Sequence, residues 1–456
     1  MQLYIPSRII ITPTANEHPR TIEIVKRIKI FNPQVEIIYS DNQMPQMPSG
    51  LNRRQQQQYL DKTLLLCTRS AGASFIEVFA SPGNVTEGIG VMGKIASHCP
   101  LHCEFCYLLV AGRGTPWNRV YVDLERFREE AKKEVYVHKM SLTLWSAISF
   151  YEKKPLMKVP KGFKELCDNK IRKAVLANKI QSHEDSLQFL STNLRQFFKE
   201  MNIKINKARF KIVGNNLPRY YRKNKKIPLW INIGEYTDIL GIDHLTGNLD
   251  EILSWMNEDK ELRIKFRTKA PYIKNILKHK NLDRIRVTVD LNTDFAIKSF
   301  QPNTFPLSDR FKAVKKLITA GAKVKLAIEP IIKYPGFEEE YVNLFQKIEK
   351  EIDIKTMDDV KIGCVRYKTQ LKNYIGNISP DINLFNEDQQ LVPPAEGDKR
   401  WRYLKEERVR IYSLIINSLK PRNRKTIQLC AEEPEVWRKL NLNPFVVHNG
   451  SVYQHH

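Results

Sequence analysis

Short apolar runs and polar stretches alternate along the first 80 residues. Leu3 to Thr12 and Val35 to Tyr39 are apolar and rich in β-branched residues, which predicts two strands. Thr21 to Ile30 has apolar residues at helical spacing, which predicts a helix. The polar stretch from Asp41 to Gln58, with two prolines and four consecutive glutamines, predicts an exposed loop. We interpret residues 1–80 as a small N-terminal α/β region.

From Phe75 onward, short β-branched runs alternate with helical patterns, which is typical of βα units that build a parallel sheet. A first helix is predicted from Asp123 to Lys133. The pattern predicts six strands, which are Gly88 to Ala96, Pro228 to Gly234, Leu262 to Thr268, Ile285 to Leu291, Lys323 to Ile332 and Val360 to Tyr367. These units predict an α/β fold, a partial (βα)6 barrel of the TIM type. Such sheets bind ligands at the carboxyl ends of their strands.

One block interrupts this alternation. Met140 to Trp230 contains 20 Lys and Arg against 6 Asp and Glu, and its segments Phe163 to Lys179 and His183 to Met201 have helical periodicity. We interpret residues 140–226 as a basic helical insertion. We expect it to contact a phosphate backbone, with Tyr220 and Tyr221 stacking on bases. A solvated surface decoration is the alternative.

The remaining boundaries follow from these patterns. The barrel is assigned to residues 81–139 and 227–375, and a C-terminal region to residues 376–456. A chain of 456 residues is long enough for all of these parts.

Charge and cysteine content narrow the class of protein. The net charge of +24 favours a polyanionic partner, most simply nucleic acid, although a Lys-rich proteome also produces basic surfaces. Seven cysteines, an odd number scattered along the chain, argue against a secreted disulfide framework and for a reducing compartment. No apolar run reaches the length of a membrane span. We expect a cytoplasmic protein that does not associate with membranes.

The most informative stretch is Cys99 to Cys106, which has the spacing Cys-x3-Cys-x2-Cys. Three thiolates in one loop can bind three irons of a 4Fe-4S cluster and leave the fourth iron open to a small molecule. A zinc or iron site that only stabilises the loop, with His102 as a fourth ligand, is the alternative. An open iron predicts catalysis.

This cysteine spacing, with Phe105 before the last cysteine and Tyr107 after it, resembles the signature of radical S-adenosylmethionine (SAM) enzymes. In that family the cluster reduces SAM to a 5'-deoxyadenosyl radical. Further blocks resemble the spore photoproduct lyase family, the DNA-repair branch that reverses a thymine–thymine adduct. In chain order these blocks are Arg119 to Glu125, Asp238 to Thr246, Arg267 to Lys269, Ile297 to Pro302, Glu329 to Ile331 and Arg366 to Tyr367.

The resemblance implies a set of site residues. It implies that Cys99, Cys103 and Cys106 bind a 4Fe-4S cluster and that Lys269 pairs with the carboxylate of SAM. It also implies further residues toward SAM, which are Glu235, Thr237, Asp290 and Asn292, with the last two near the ribose. Tyr107 and Tyr367 are the expected catalytic residues.

Two positions depart from the lyases. Glu235 aligns with the cysteine that gives a hydrogen atom to the substrate radical, and Phe105 lacks the hydroxyl of the corresponding tyrosine. A carboxylate O–H bond is too strong to donate that hydrogen atom. Glu235 instead resembles the acidic residue that accepts from the ammonium of SAM in many radical SAM enzymes.

We therefore expect a radical SAM enzyme, resembling spore photoproduct lyase but chemically diverged, that acts on DNA or RNA. An electron donor such as flavodoxin or ferredoxin is its expected partner, and a duplex substrate would require base flipping. One alternative is a radical SAM enzyme that modifies a protein or peptide. The other is a nucleic-acid-binding protein whose cluster is structural.

Overall fold

Strands and helices alternate through most of the chain. The structure, a computed structural model, describes residues 3–80, 89–111, 117–152, 162–357, 359–379, 384, 389–392 and 400–442. The strands are β1 (Arg8–Ile11), β2 (Glu36–Tyr39), β3 (Thr63–Cys67), β4 (Ile76–Ala80), β5 (Ile89–Gly93), β6 (Ala96–Ser97), β7 (Asn118–Tyr121), β8 (Leu229–Asn232), β9 (Leu262–Thr268), β10 (Ile285–Asp290), β11 (Lys323–Ile331), β12 (Val360–Cys364), β13 (Arg366–Tyr367), β14 (Gln389–Val392), β15 (Arg400–Tyr403) and β16 (Ile427–Leu429).

Helices connect most of these strands. They are α1 (Pro19–Phe31), α2 (Arg53–Asp61), α3 (Leu124–Glu152), α4 (Phe163–Leu166), α5 (Lys173–Leu176), α6 (His183–Glu200), α7 (Lys207–Asn224), α8 (Ile239–Thr246), α9 (Asn248–Trp255), α10 (Lys274–Leu277), α11 (Asp294–Phe300), α12 (Leu307–Thr319), α13 (Phe337–Glu351), α14 (Thr369–Ile378), α15 (Lys405–Ser418) and α16 (Pro434–Lys439). A π-helical segment, Cys167–Arg172, joins α4 to α5.

The larger sheet has the order β4-β5-β8-β9-β10-β11-β12-β16. From β5 to β16 every neighbouring pair is parallel and the strands follow chain order, whereas β4 joins antiparallel to β5. In β9 the apolar residues Leu262, Ile264 and Phe266 are buried and alternate with partly exposed ones, as a period of two requires. All six predicted strands are present within their predicted ranges. The α/β class is confirmed, and an open sheet in chain order is consistent with a partial barrel.

The smaller sheet has the order β2-β1-β3-β7-β6. Its members β6 and β7 follow residue 81, so the small sheet takes strands from the stretch that the sequence pattern assigns to the barrel. The cysteine loop lies between these two strands. Local pattern identifies a strand but not the sheet that it joins, because membership depends on pairing with distant residues.

Two expectations about local structure are wrong. The stretch from Asp41 to Gln58 is not entirely a loop, because its glutamines lie in α2, which begins with a capping box between Asn52 and Gln55. The predicted last strand ends at Cys364. Tyr367 belongs to β13, which pairs antiparallel with β15 in a third sheet.

The insertion is helical, as its periodicity predicts. The second half of α3, the helix from α4 to α5, α6 and α7 enclose a hydrophobic core of their own, which includes Trp145, Phe163, Phe197 and Leu217. Tyr221 is also in this core and bonds through its hydroxyl to Nδ1 of His183 at 2.9 Å. The expectation that Tyr221 stacks on bases is therefore wrong, because the residue lies one turn from Leu217 on the buried face of α7.

Within the described residues, none of the helices combines the length and the apolar character that crossing a bilayer requires.

Candidate active site

The cysteine loop folds back on itself and packs against the barrel. His98 and His102 have positive φ angles of 63° and 44°, which turn the backbone sharply on either side of Cys99. The backbone N–H of Cys106 donates to the carbonyl of Cys103 at 2.9 Å. The loop reaches the barrel through the N–H of Glu104, which donates to the carbonyl of Phe300 at 3.0 Å at the end of α11.

The three thiols of this loop share one buried space. Burial raises the pKa of Cys103 to about 12. Burial, the Asp238 carboxylate and the other two thiols together raise the pKa of Cys99 well above its ordinary value. Thiols that raise one another's pKa are close, and they would deprotonate when they bind a metal. The three cysteines therefore fit a cluster that binds thiolates.

One ring nitrogen of His102 is fixed by its neighbours. Its Nδ1 lies 3.1 Å from Oδ1 of Asp61 and 3.0 Å from Nε2 of Gln57. Burial disfavours the imidazolium, but the Asp61 carboxylate more than offsets this and raises the pKa of His102. In the part of the chain that the structure describes, no three His, Cys, Asp or Glu side chains are arranged to hold a single metal ion. A cubane differs from such a site because it offers each thiolate its own iron.

The carboxyl ends of β9 and β10 place two cations on one carboxylate. Nε of Arg267 donates to Oδ1 and Oδ2 of Asp290 at 2.8 and 2.7 Å, and Nζ of Lys269 donates to Oδ2 at 2.8 Å. Burial opposes each charge. Even so, Asp290 and Cys103 raise the pKa of Lys269, while Arg267 and Lys269 lower the pKa of Asp290. All three groups are therefore charged at neutral pH.

The end of β11 adds a second carboxylate to this array. Nη1 of Arg267 donates to Oε2 of Glu329 at 2.6 Å, and the neighbouring cations Arg267 and Lys361 hold the pKa of Glu329 low despite its burial. Gly363 leaves the room for this side chain, since a Cβ there would come within 2.9 Å of Oε1 of Glu329. We call the three cysteines together with Arg267, Lys269, Asp290 and Glu329 the candidate active site.

The sequence did not predict a role for Arg267 or Glu329, although both lie in blocks that resemble the spore photoproduct lyase family. Arg263, Lys265, Arg267 and Lys269 alternate with buried residues of β9 and its end. Four cations at every second position of an otherwise apolar strand are a signal that their side chains face one side. That signal could have identified Arg267.

Asp290 and Asn292 are both buried. Asp290 is 2% exposed at its side chain, and its oxygens accept from Arg267 and Lys269. Asn292 is fully buried, where its Nδ2 donates to the carbonyl of Pro330 at 2.9 Å and its Oδ1 accepts from Tyr341 at 2.8 Å. These contacts are within the protein, and the expected contact of the two residues with SAM stays a prediction.

The loop after β8 approaches β9 closely. A Cβ at Gly234 would come within 2.8 Å of the backbone nitrogen of Arg267, so only glycine fits there. Glu235 is exposed, and its Oε2 accepts from Nδ2 of Asn232 at 3.1 Å. Thr237 is 3% exposed, and among the described residues nothing bonds to its Oγ1.

Asp238 fixes the loop after β8 to the end of β9. It caps α8, and it accepts from Oγ1 of Thr268 at 2.7 Å and from the backbone N–H of Lys269 at 2.6 Å. These bonds hold the loop that carries Glu235 beside Lys269.

The two expected catalytic tyrosines lie in different environments. Tyr107 is 50% exposed, and its hydroxyl donates to the backbone carbonyl of Glu235 at 2.8 Å, which connects the cysteine loop to the loop after β8. Tyr367 is 3% exposed, and burial raises its pKa to about 12. Tyr107 is accessible to a substrate, whereas Tyr367 is enclosed in the fold.

Known proteins are similar to this chain in sequence and in fold. A family model described as spore photoproduct lyase matches residues 4–164 and 216–423. The spore photoproduct lyase of Bacillus subtilis (strain 168) is 21% identical over 365 residues, which are 80% of this chain and 79% of that protein.

Two solved structures share the fold. A spore photoproduct lyase complexed with dinucleoside spore photoproduct has a TM-score of 0.61 at 17% identity and covers 94% of this chain and 99% of that chain. A mutant lyase with bound AdoMet and dinucleoside spore photoproduct has the same TM-score at 18% identity and the same coverage. Because the family model matches most of its length, the chain belongs to the spore photoproduct lyase family of radical SAM lyases and is an enzyme.

Proposed function

We propose that this enzyme acts on nucleic acid by radical SAM chemistry at the carboxyl ends of the barrel strands. The observation that carries the proposal is the meeting of three thiols, one buried and two partly buried, with Lys269 and Arg267. The charge of Lys269 offsets part of the increase that burial causes in the pKa of Cys103 and of Cys106. A spore photoproduct lyase structure with a similar fold contains bound AdoMet and dinucleoside spore photoproduct.

Each residue has a role in this proposal. Cys99, Cys103 and Cys106 hold a 4Fe-4S cluster, which when bound supplies the electron that cleaves SAM to a radical able to abstract hydrogen from a nucleotide. Lys269 exchanges part of its contact with Asp290 for the carboxylate of SAM. Glu235 accepts a hydrogen bond from the ammonium of SAM. The hydroxyl of Thr237, to which nothing bonds among the described residues, offers SAM a further polar contact.

Asp290 and Glu329 serve SAM indirectly. They hold Arg267 and Lys269 in place, so that both cations are oriented before SAM arrives. Orientation in advance lowers the entropy lost on binding.

In this proposal, the step that follows formation of the substrate radical differs from that of the lyases. Glu235 stands where the family resemblance places a hydrogen-donating cysteine, and a carboxylate cannot serve as that donor. Phe105, in place of a tyrosine, removes a hydroxyl beside it. We therefore expect modification of a nucleotide rather than reversal of the thymine adduct. The cluster requires an electron donor such as flavodoxin or ferredoxin, which suits a cytoplasmic location.

The test is anaerobic reconstitution with iron and sulfide, followed by reduction in the presence of SAM. The unmodified protein should bind about four irons and release 5'-deoxyadenosine, and a nucleic-acid substrate should increase that release. Cys103→Ala should lose iron and abolish SAM cleavage. Cys167→Ala is the matched control, because Cys167 is also buried but lies in the core of the insertion.

Three results would contradict the proposal. Full iron content and SAM cleavage in Cys103→Ala would show that the cluster site is misassigned. Iron binding without any 5'-deoxyadenosine in the unmodified protein would make the cluster structural. Stimulation by acidic peptides but not by nucleic acid would assign the enzyme a protein substrate instead.

A further inference from the structure

The solvent-facing side of α7 is covered with cations. Residues 203–226 contain nine Lys and Arg and neither Asp nor Glu. Six of these cations are exposed on α7 itself. One of them, Arg209, has an interaction partner. We call the other five the α7 face: Lys207, Lys211, Arg219, Arg222 and Lys223. At 3.6 residues per turn they lie away from the buried residues Val213, Leu217 and Tyr221. Two of them are near the start of the helix and three near its end, so α7 presents basic groups to solvent at both of its ends.

The α7 face is not neutralised by the rest of the protein. Among the described residues, none of its five cations forms an ion pair or a side-chain hydrogen bond. Cations elsewhere on the surface are often paired, as in the contacts of Lys315 with Glu351 and of Arg410 with Glu407. A row of like charges without counter-charges destabilises a folded surface through mutual repulsion. Such a row is consistent with a ligand of opposite charge.

Part of this surface is outside the common part of the family. The family model matches up to residue 164 and resumes at residue 216, so it omits all of α6 and the first half of α7, which carries Lys207 and Lys211. The omitted segment nevertheless has a well-packed core. The insertion is therefore an addition with its own folded structure.

The position of the insertion sets its distance from the candidate active site. Nζ of Lys139 donates to the carbonyl of Lys225 at 2.7 Å and to that of Ile227, immediately before β8 begins. A cavity of about 310 Å³ lies between α3, His183 and the segment that leads into β9. The insertion thus adjoins the amino ends of the parallel strands, at the edge opposite the candidate active site.

We propose that the α7 face binds the phosphate backbone of a nucleic acid at a point remote from the nucleotide that reacts. The proposal rests on the proposed function for its choice of ligand, and charge complementarity supports it. A backbone carries one phosphate per 3.4 Å of each strand, so the 18-residue α7, about 27 Å long, can lie along several phosphates. Guanidinium and ammonium groups near both ends of the helix would bind them without reading sequence.

The separation predicts a dependence on substrate length. The seven residues of β9 span about 23 Å between the two edges of the sheet. Laid end to end with α7, this gives at most about 50 Å, or about 15 base pairs of duplex. A nucleic acid longer than this can therefore reach both the candidate active site and the α7 face.

The test compares two five-fold variants of the full-length protein. In the first, all five cations of the α7 face are replaced by glutamine, which keeps the helical propensity of the segment. The matched control replaces five exposed lysines on other surfaces, Lys26, Lys29, Lys280, Lys316 and Lys350, by glutamine, so that net charge falls equally. Binding to duplexes of about 30 and about 8 base pairs is measured between about 50 and 200 mM salt.

We expect the α7 variant to bind the long duplex at least about tenfold more weakly than the control does. The slope of the logarithm of affinity against the logarithm of salt concentration should be smaller by about 4 in the α7 variant. Binding of nucleic acid at the candidate active site and SAM cleavage without substrate should be unchanged. Equal salt dependence in the two variants would overturn the proposal. Loss of binding to polyglutamate with no loss for the duplex would also overturn it and assign the face to an acidic protein. Because SAM cleavage is measured separately, failure of the proposed function would be recognised independently.

Discussion

Asp290 is the residue on which the charges at the strand ends depend. It is nearly inaccessible to water, and its two oxygens accept from the guanidinium of Arg267 and the ammonium of Lys269. Removing charged groups from water costs several kcal/mol for each ion, and only close opposite charges offset that cost. The array is stable because the cations and carboxylates are matched, with Glu329 as the second carboxylate.

Asp290→Asn should therefore destabilise the protein, because it leaves Lys269 beside Arg267 without their shared carboxylate. We expect a loss of about 3 kcal/mol in the free energy of unfolding, measured with urea. Asp283→Asn, at an exposed position just before β10, is the control and should change stability by less than about 0.5 kcal/mol. Equal effects of the two substitutions would show that the buried charges contribute little.

The difference in the free energy of unfolding between the wild type and Asp290→Asn should depend on pH. The pKa of Asp290 is lower in the folded protein than in the unfolded chain, because of Arg267 and Lys269. A lowered pKa contributes stability above the unfolded value, near 3.9 for Asp, and that contribution is lost as the pH falls through the folded value. The gap between the wild type and Asp290→Asn should therefore narrow in acid.

Among the helices, α2 has a role that its composition conceals. Its run of glutamines is polar, and the local sequence predicts a loop there. In the structure, Gln57 donates to Asp61 at 2.6 Å, contacts His102 and accepts from the hydroxyl of Tyr374 on α14. This helix connects the cysteine loop to the C-terminal part of the barrel. Its neighbour Gln58 is exposed.

Gln57→Ala should weaken the support of the cysteine loop, because it leaves the buried ring of His102 and the hydroxyl of Tyr374 short of a partner. We expect a loss of about 1 to 2 kcal/mol in stability and faster loss of iron from the reconstituted protein in air. Gln58→Ala is the control, and it should change neither quantity measurably. If the two variants lose iron at the same rate, α2 does not stabilise the loop.

At the scale of the whole molecule, the insertion and the barrel have separate hydrophobic cores. They share the long helix α3, and a buried ion pair fastens the insertion to it. Nε and Nη2 of Arg172 donate to the carboxylate of Glu134 at 3.0 and 2.7 Å, and both side chains are at least nine-tenths buried. Separate cores joined by one helix can open independently.

Arg172→Met should open the insertion without opening the barrel. It leaves Glu134 buried without its partner, which costs about 3 to 5 kcal/mol. We expect amide hydrogen exchange to increase in α6 and α7 but not in β9 to β11. Lys173→Met, at the exposed adjacent position, is the control and should leave exchange unchanged. A uniform increase over both parts would show that the protein unfolds as one cooperative unit.

The sequence by itself determined much of the frame. The strands of the barrel fall within their predicted ranges, and β9 coincides with its prediction from Leu262 to Thr268. The cysteine spacing and the helical insertion were also evident, because both depend on residues close together in the chain. Periods of 2 and 3.6 residues and the reach of a short loop are local properties.

Only the tertiary structure decided which residues meet. It placed β6 and β7 in the small sheet, turned Tyr221 inward, and directed Asp290 and Asn292 to structural contacts. It also joined Arg267 to Glu329, which is 62 positions later in the chain. Such contacts depend on the order and register of paired strands. Local pattern does not specify these, because each strand is compatible with several neighbours until the whole core is packed.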